Sequence, residues 1–320
     1  MARAAGVSTA TVSRTLSGLT VRPELARRVR TAAQTLDYQP NRAARELVSG
    51  RCCTVGVVVP DLANPYFSNV LKAVTVNALE SGFRTIVVDA DGDPDAEPEL
   101  CRTLLRQTDG VVVVSPRMPA AELRALADPA HKLVLVNRVV SGAALPTVTV
   151  DAFGGMFGLC GHLAGLGHRR IVYLAGPADA WQNAERRRAV EQARAFGLAA
   201  VAVEAGATLE AGEAAVDEAM SHRPTALVGF NDLVAIGALL ELVRRGVRVP
   251  EDLSVTGADD IPLASRIHPG LTTTTTPLRR LGETAWDLLG AALREEPRSH
   301  SFQLATRLVE RGSTAPGRGE

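Results

Sequence analysis

Gly6-Val7-Ser8-Thr9-Ala10-Thr11-Val12-Ser13-Arg14-Thr15-Leu16-Ser17-Gly18 reads as a tight turn followed by a short helix. Gly6 suits a turn with positive φ, where a Cβ would clash. Ser8 is a good N-cap, because its hydroxyl accepts an orphan N–H of the first turn. Val12 and Leu16 lie four apart and give the helix one apolar stripe. Thr9, Ala10, Ser13 and Arg14 then face outward, and Gly18 is placed to end the helix. A helix this short does not stand alone in water. It must dock on neighbours while its outer face serves something else. Small hydroxylated residues and an arginine near a helix N-terminus suit base edges and phosphates in a DNA major groove.

Charge supports that reading. The 320 residues carry no net formal charge, but the balance is uneven along the chain. Residues 1–51 hold nine arginines against Glu24, Asp37 and Glu46, a net of +6, which leaves −6 for the remainder. A basic N-terminal segment on a mildly acidic body is the footprint of a nucleic-acid-binding head. The chain is 46% hydrophobic and long enough for two or three domains. It has no run of eighteen apolar residues and no secretory leader pattern, so a cytoplasmic location with no membrane association is expected. The four cysteines (52, 53, 101 and 160) lack metal-binding spacing and the six histidines are scattered. Reduced thiols and no metal are the expectation. The adjacent Cys52-Cys53 pair is a small risk for oxidative cross-linking in vitro.

The run from Ala2 to Gly18 closely resembles the helix-turn-helix of the LacI/GalR family of bacterial repressors. In that family the stretch usually reads D-V-A-R-x-A-G-V-S with further residues before it. Met1 stands where the family has Val, so the natural protein is expected to be longer, with a full first helix. Residues 22–38 read as a third helix. Pro23 suits its first position, and Leu25, Val29, Ala32/Ala33 and Leu36 recur at helical spacing. Arg27, Arg28 and Arg30 lie elsewhere on its surface, either as a solvated face or against phosphate. Arg22 occupies the place where the family often has a Ser or Thr cap.

Tyr38-Gln39-Pro40-Asn41-Arg42-Ala43-Ala44-Arg45-Glu46-Leu47 resembles the family's Y-x-P-N-x-x-A-R-x-L hinge. Pro40 breaks the preceding helix and Asn41 can cap a new one. The resemblance implies that Asn41, Arg42, Ala44 and Leu47 contact DNA. The hinge helices of two subunits would pair in the minor groove, with Leu47 wedged into the central base step. Ordinary packing of Leu47 on a neighbouring helix is the alternative. In the head, Thr9, Ala10 and Arg14 are the candidates for base contacts, and Ser8, Thr11 and Ser13 for phosphate contacts.

From Thr54 the pattern changes. Val55-Gly56-Val57-Val58-Val59-Pro60 is a continuous apolar run, a strand buried on both faces. Helices near 66–81, 96–107 and 119–127 alternate with strands at 85–88, 110–114 and 133–136. The series then repeats: helices at 154–166, 183–196, 208–220 and 231–245, and strands at 170–174, 200–203, 225–229 and 253–257. Alternation of this kind means parallel α/β sheets, here two Rossmann-like lobes with a cleft between them. That matches the periplasmic-binding-protein-like core of the resembled family. Residues 271–276 are Thr-rich and β-prone, 278–294 form an amphipathic helix, and 303–310 read as a last strand. Arg311-Gly312-Ser313-Thr314 resembles the family's closing R-G-S-T.

The expected organisation is therefore an all-α helix-turn-helix head over residues 1–39, a hinge helix and linker over 40–52, and a two-lobed α/β core over 53–320. Lobe 1 takes about 53–150 and 277–298, lobe 2 about 151–276 and 299–314. The chain would cross between lobes near 150, 276 and 298, and multiple crossovers permit hinge closure around a ligand.

Ligands of open α/β sheets bind beyond the carboxyl ends of the strands. The first strand leads into Asp61, Asn64, Tyr66 and Phe67, similar to the family's D-x-x-N-P-F/Y-F. The fourth leads to Asn137-Arg138, where the family often has Asp-Arg, and the fifth to Asp151, followed by Ala152 in place of Asn. Arg186 fits the family's effector arginine, although Ala189 replaces the Gly of R-x-x-G. Phe230-Asn231-Asp232 matches x-N-D, and Asp259-Asp260 matches G-x-D-D. Carboxylates, amides, an arginine and aromatic rings converging on a cleft suit a hydroxyl-rich small molecule such as a sugar, sugar phosphate or nucleoside. For several residues a second reading stands beside this one. Asn231 and Asp232 cap the following helix, Asp260 orders a loop, Asp61 and Asn64 are turn residues, and Arg187 and Arg188 face solvent. Trp181 lines the cleft or packs on the surface.

An enzyme would need a motif that is missing: there is no G-x-G-x-x-G after a strand, no phosphate-binding Walker loop and no G-x-S-x-G. No catalytic residue and no cofactor are expected. A free-standing sugar-binding protein is the other rival; it would need an export signal and no basic head, and this chain has the reverse. A solute-binding protein with a non-functional DNA head is the remaining alternative. The expected protein is a sequence-specific transcription regulator, a repressor controlled by a small hydroxylated effector. It would act as a homodimer on double-stranded operator DNA, since two heads need two half-sites.

Overall fold

The computed structural model describes residues 1–16, 19–38, 52–128, 130–296 and 301–317. It divides into two compact units, Met1–Cys52 and Cys53–Glu320. The hinge residues Asn41, Arg42, Ala44 and Leu47, and the helix-ending Gly18, lie outside the described residues.

The first unit holds helices α1 (Ala2–Ala5), α2 (Thr9–Leu16) and α3 (Pro23–Thr35). Gly6 joins α1 to α2 at φ +60°. The Ser8 hydroxyl accepts from the Thr11 amide at 3.1 Å, as the cap reading requires. Ala5, Val12, Val29 and Ala32 form the small core, with Val7 and Leu16 against it. Thr9, Ala10, Ser13 and Arg14 are exposed. Arg28 stays on the exposed surface of α3, and there its Nη2 donates to the Gly6 carbonyl at 2.9 Å. A Cβ on Gly6 would sit 2.2 Å from that nitrogen, the mobile tip of an exposed side chain that can move aside, so it is the positive φ that requires the glycine. Leu36 leaves the apolar stripe because α3 ends at Thr35, and it is 51% exposed. Arg22 begins the helix with no side-chain cap bond.

The second unit begins with β1 (Thr54–Val59), buried at every position. α4 (Pro65–Glu80), β2 (Arg84–Asp89), α5 (Glu97–Gln107), β3 (Gly110–Val114), α6 (Ala120–Leu126), β4 (Leu133–Val136) and β5 (Thr147–Val150) follow. The chain then enters α7 (Ala152–Gly165), β6 (Arg170–Ala175), α8 (Trp181–Gln192), β7 (Ala199–Glu204), α9 (Leu209–Ala214), α10 (Val216–Ser221), β8 (Ala226–Gly229), α11 (Asp232–Arg244) and β9 (Ser254–Thr256). It closes with β10 (Thr273–Thr275), α12 (Leu278–Leu293), β11 (Ser301–Leu304) and β12 (Arg307–Val309).

Ten of these strands form two parallel sheets, and β10 and β12 pair antiparallel in a separate two-stranded ribbon. Lobe 1 has the order β11-β5-β4-β3-β1-β2 and lobe 2 the order β7-β6-β8-β9. Each sheet is covered on both faces, which is why the central strands read as unbroken apolar runs. In lobe 1, α4 and α12 pack on one face and α5 and α6 on the other. Gly282 of α12 lets the two helices touch closely, since a Cβ there would meet the Val70 carbonyl and the Ala73 methyl at 2.6 Å.

The single last strand expected at 303–310 is two strands in different sheets. Leu304 pairs with Val150 in lobe 1, whereas Val309 pairs antiparallel with Thr273 beside lobe 2. The third crossing therefore falls at 305–306 and not near 298. The other two crossings lie between β5 and α7 and between β10 and α12. All three converge on Gly155, where an added Cβ would meet Thr306 Oγ1 at 2.4 Å and Thr274 Cβ at 3.7 Å.

Candidate functional site

The strand ends of the two lobes face one another across a cleft. Pro60, Asp61, Asn64, Tyr66, Phe67, Ser115 and Arg117 line it from lobe 1; Ala180, Gln182, Arg186, Ala207, Phe230, Asn231 and Asp259 line it from lobe 2. The space left open to solvent is about 40 Å³, room for roughly three water molecules.

Arg186, 4% exposed, organises the lobe 2 wall. It projects from α8 and donates from Nη2 to Asp259 Oδ1 at 2.7 Å and from Nη1 to the Phe230 carbonyl at 2.5 Å. Its guanidinium also lies 5.0 Å from the centroid of the Phe230 ring, in cation–π range. Burial lifts the Asp259 carboxyl above the usual carboxylate range against the pull of Arg186. Burial alone would lower Arg186, but Asp259 holds it above its ordinary value, a fixed cation. Phe230 reaches its place because Gly176 has no side chain: a Cβ there would overlap the ring at 2.5 Å. The loop after β6 is tied by Asn183, which accepts from Tyr173 Oη at 2.9 Å and from the Gly176 amide at 3.0 Å, and donates to the Gly176 carbonyl.

The lobe 1 wall is a polar relay. Asn137 donates to Tyr66 Oη at 2.6 Å and accepts from the Val150 amide at 3.1 Å. Gln182 of lobe 2 reaches across and donates to Ser115 Oγ at 3.1 Å, a direct bond between the lobes. Burial, with Asp259 nearby, raises the Tyr66 phenol, which keeps it a neutral hydroxyl. Behind Arg117, the carboxylate of Glu97 accepts from the amides of Arg117 and Met118 at 2.8 and 2.7 Å. It fixes the turn after β3, and burial pushes it up to about 7.

Eight of the eleven cleft residues named from the sequence thus share one cavity: Asp61, Asn64, Tyr66, Phe67, Arg186, Phe230, Asn231 and Asp259. Asn137 stands one layer behind, as the support of Tyr66. Arg138 is half-buried outside the lining with its Nε unpartnered; burial lowers it, while Glu97 and Asp179 oppose that. Asp151 is displaced from the site: it caps α7, accepting from the Gly154 amide at 2.8 Å. The capping readings also hold for residues that do line the cleft. Asn64 accepts from the Tyr66 amide, Asp61 from the Ala63 amide and Asn231 from the Val234 amide. Asp232 is buried and accepts from Thr273 and the Ile261 amide. Trp181 is outside the lining, and its neighbour Gln182 is inside it. Sequence reading missed Ser115, Arg117, Gln182 and Asn183. Ser115 and Arg117 had a usable signal, since they directly follow β3.

Among the described residues no group of three or more His, Cys, Asp or Glu could hold a metal ion, and no helix is long and apolar enough to cross a membrane. Cys101 and Cys160 are buried, and burial pushes both thiols up to about 12.

A helix-turn-helix head joined to a two-lobed core with a polar cleft defines a ligand-responsive DNA-binding transcription regulator. Comparison with known proteins gives the family. Residues 1–41 match the profile of bacterial regulatory proteins of the lacI family, and residues 160–314 that of the periplasmic binding protein-like domain. The HTH-type transcriptional repressor CytR of Escherichia coli (strain K12) is 31% identical over 97% of this chain and 94% of its own length. The lac repressor dimer bound to operator and the anti-inducer ONPF superposes with a TM-score of 0.88 at 26% identity, over 98% of this chain and 97% of that one. A LacI-family regulator from Enterococcus faecium with bound ribose gives 0.75 at 25% identity, over 83% of this chain and all of the other. The chain belongs to the lacI family of bacterial regulatory proteins.

Proposed function

We propose that the protein is a repressor that acts as a homodimer on a pseudo-palindromic operator in the cytoplasm, and that a hydroxyl-rich small molecule in the cleft sets its operator affinity. The observation that carries the effector reading is the convergence of Asp61, Asn64, Arg186, Asn231 and Asp259 with the rings of Tyr66, Phe67 and Phe230. Carboxylates and amides read hydroxyls, and the rings stack on an apolar sugar or base face. The bound ribose of the Enterococcus faecium relative supports a pentose or nucleoside. Arg186 and Asp259 are spent on each other, so the cleft is read as a binding site and not a catalytic one.

On the head, the exposed face of α2 supports base contacts by Thr9, Ala10 and Arg14 and phosphate contacts by Ser8, Thr11 and Ser13. Arg14 pairs with a guanine, the commonest specific contact. Hinge residues 40–52, with Asn41, Arg42, Ala44 and Leu47, would follow the minor groove. For the dimer, the edge strand β2 and its neighbour α4 offer exposed apolar residues: Val76, Leu79, Ile86 and Val87 in lobe 1. Leu240 and Val243 of α11 do the same in lobe 2. The lac repressor dimer on its operator supports this assembly.

The test is selection of binding sites from a random duplex library at stated salt. Titration with D-ribose, uridine, cellobiose and glucose 6-phosphate follows. A palindromic site whose affinity shifts by about 5–150-fold with one of them, the usual range of allosteric coupling, is expected. A folded dimer that enriches no sequence would overturn the repressor reading.

A further inference from the structure

The lobe 2 wall depends on a turn with an unusual backbone. Asp259 has φ +111° and Asp260 has φ +53°. Positive φ is rare for residues other than glycine, and +111° lies outside the ordinary left-handed well. Two such residues in succession persist only where the surroundings over-determine them. The turn is held on three sides. Strand β10 and its approach accept from Gly257 and Asp259, whose amides bond to the carbonyls of Thr272 and Thr274 at 2.9 and 2.8 Å. Buried Asp232 accepts from the Ile261 amide at 2.8 Å. The third hold comes from the far end of the chain: Arg311 Nη2 donates to Asp260 Oδ1 at 2.6 Å.

Arg311 is itself built in. Its Nη1 donates to the Leu271 carbonyl at 2.8 Å, and its amide donates to Thr272 Oγ1 at 3.0 Å. Gly270 passes beneath its stem, with room for a Cβ only 3.3 Å from Arg311 Cδ. The side chains are 21% and 26% exposed for Arg311 and Asp260, so the pair is partly shielded from water. The next residues of the closing tetrapeptide do a different task. Ser313 donates to the Val255 carbonyl and accepts from the Thr272 amide, which knits strands and does not touch the turn.

We propose that Arg311 is a positioning residue for the cleft: by gripping Asp260 it holds the left-handed turn that aims Asp259 at Arg186. Arg311 lies outside the cleft lining and contacts no occupant, so it acts only through the turn. The proposal rests on the cleft being the effector site, and its test separates the two.

Amide hydrogen exchange is measured on the full chain for wild type, Arg311→Met, Arg311→Lys and Asp260→Asn. Arg311→Met keeps the stem and removes the grip. Asp260→Asn removes the countercharge, leaves Arg311 on Leu271 and tolerates positive φ. Exchange over residues 257–261 at least ten-fold faster in Arg311→Met and Asp260→Asn, unchanged over 313–317, and largely restored in Arg311→Lys supports the proposal. Should Arg311→Met not fold, Asp260→Asn alone decides. Wild-type exchange over 257–261 in Asp260→Asn overturns it, as does loosening confined to 313–317, which would make Arg311 a strap for the tail. In parallel, D-ribose, uridine and cellobiose are titrated by calorimetry, and affinity for whichever binds wild type falls at least ten-fold in Arg311→Met. If none binds wild type while the exchange pattern holds, the effector reading fails and the positioning of the Asp259–Arg186 pair by Arg311 stands.

Discussion

Removing either partner of the Arg186–Asp259 pair has unequal consequences, because only one of the two can become neutral. Both side chains are at most 8% exposed and meet at 2.7 Å. In Arg186→Met the carboxyl of Asp259 is left buried without its cation, and it escapes by taking up a proton. Moving a carboxyl from its ordinary value of 3.8 to neutral costs about 1.36 kcal/mol per pH unit. The penalty is therefore capped at about 2 kcal/mol at pH 5.5 and about 5 kcal/mol at pH 7.5. The sign follows from proton counting. The folded pKa stands above the unfolded one, so folding takes up a proton, and stability is highest below the unfolded pKa and falls as pH rises. Asp259→Asn keeps the shape and the tolerance of positive φ, but it leaves a guanidinium that cannot shed its charge. Its cost is about 3 kcal/mol, the lower end of the range for breaking a buried pair, at both pH values. The double variant buries no charge and is expected to be at least about 2 kcal/mol more stable than the sum of the singles. Urea unfolding followed by circular dichroism, at fixed protomer concentration, measures all four. An equal loss at pH 5.5 and 7.5 for Arg186→Met, or additivity in the double variant, refutes the reasoning.

Other expected outcomes can be checked singly. Gly155→Ala and Gly158→Ala lie in one helix but should have opposite signs. The first meets Thr306 at 2.4 Å and the second meets nothing within 4 Å. Thermal unfolding should show a loss of about 1–2 kcal/mol for the first and a gain of up to about 1 kcal/mol for the second. Glu97, lifted from 4.5 to about 7, should cost wild type up to about 3 kcal/mol of stability as pH rises from 4.5 through 7. Glu97→Gln, which keeps the acceptor for the Arg117 and Met118 amides, should flatten that slope in melts at pH 5 and pH 8. Arg14→Ala should weaken operator binding by roughly 1–3 kcal/mol and relax the preference at one base pair in a selected-site comparison. Leu47→Ala should weaken operator binding and leave effector affinity intact; unchanged operator affinity in gel shifts would remove the hinge assignment.

The parts that were legible in the sequence are those whose cause is local. Gly6 and Ser8 announce a turn and a cap within three residues of their effects. The valines of β1 and β3 announce strands covered on both faces, and Arg186, Phe230 and Asp259 stand in stretches that resemble a known pattern. What escaped depends on partners far along the chain. Nothing near Arg28 says that its guanidinium ends on Gly6, and nothing near Gln182 says that it reaches Ser115 in the other lobe. Asp151 was misread for the converse reason: a carboxylate after a strand satisfies equally well a cleft or the first turn of the next helix, and Gly154 offers the nearer amide. The split of 303–310 into β11 and β12 is equally invisible, because both halves have strand composition and only their pairing separates them.

The bond from Gln182 to Ser115 and the 40 Å³ left between the walls together set a kinetic rule. Ligand pockets for small molecules commonly span about 300–1,000 Å³, so an occupant enters only when the lobes have parted. Association then has two stages, opening followed by capture, and the observed rate must level off with rising ligand concentration at the opening rate itself. Apparent affinity scales in proportion to the fraction of time spent open. A substitution that frees Ser115 from Gln182 tightens binding by raising that open fraction, and so resets the concentration to which the regulator responds.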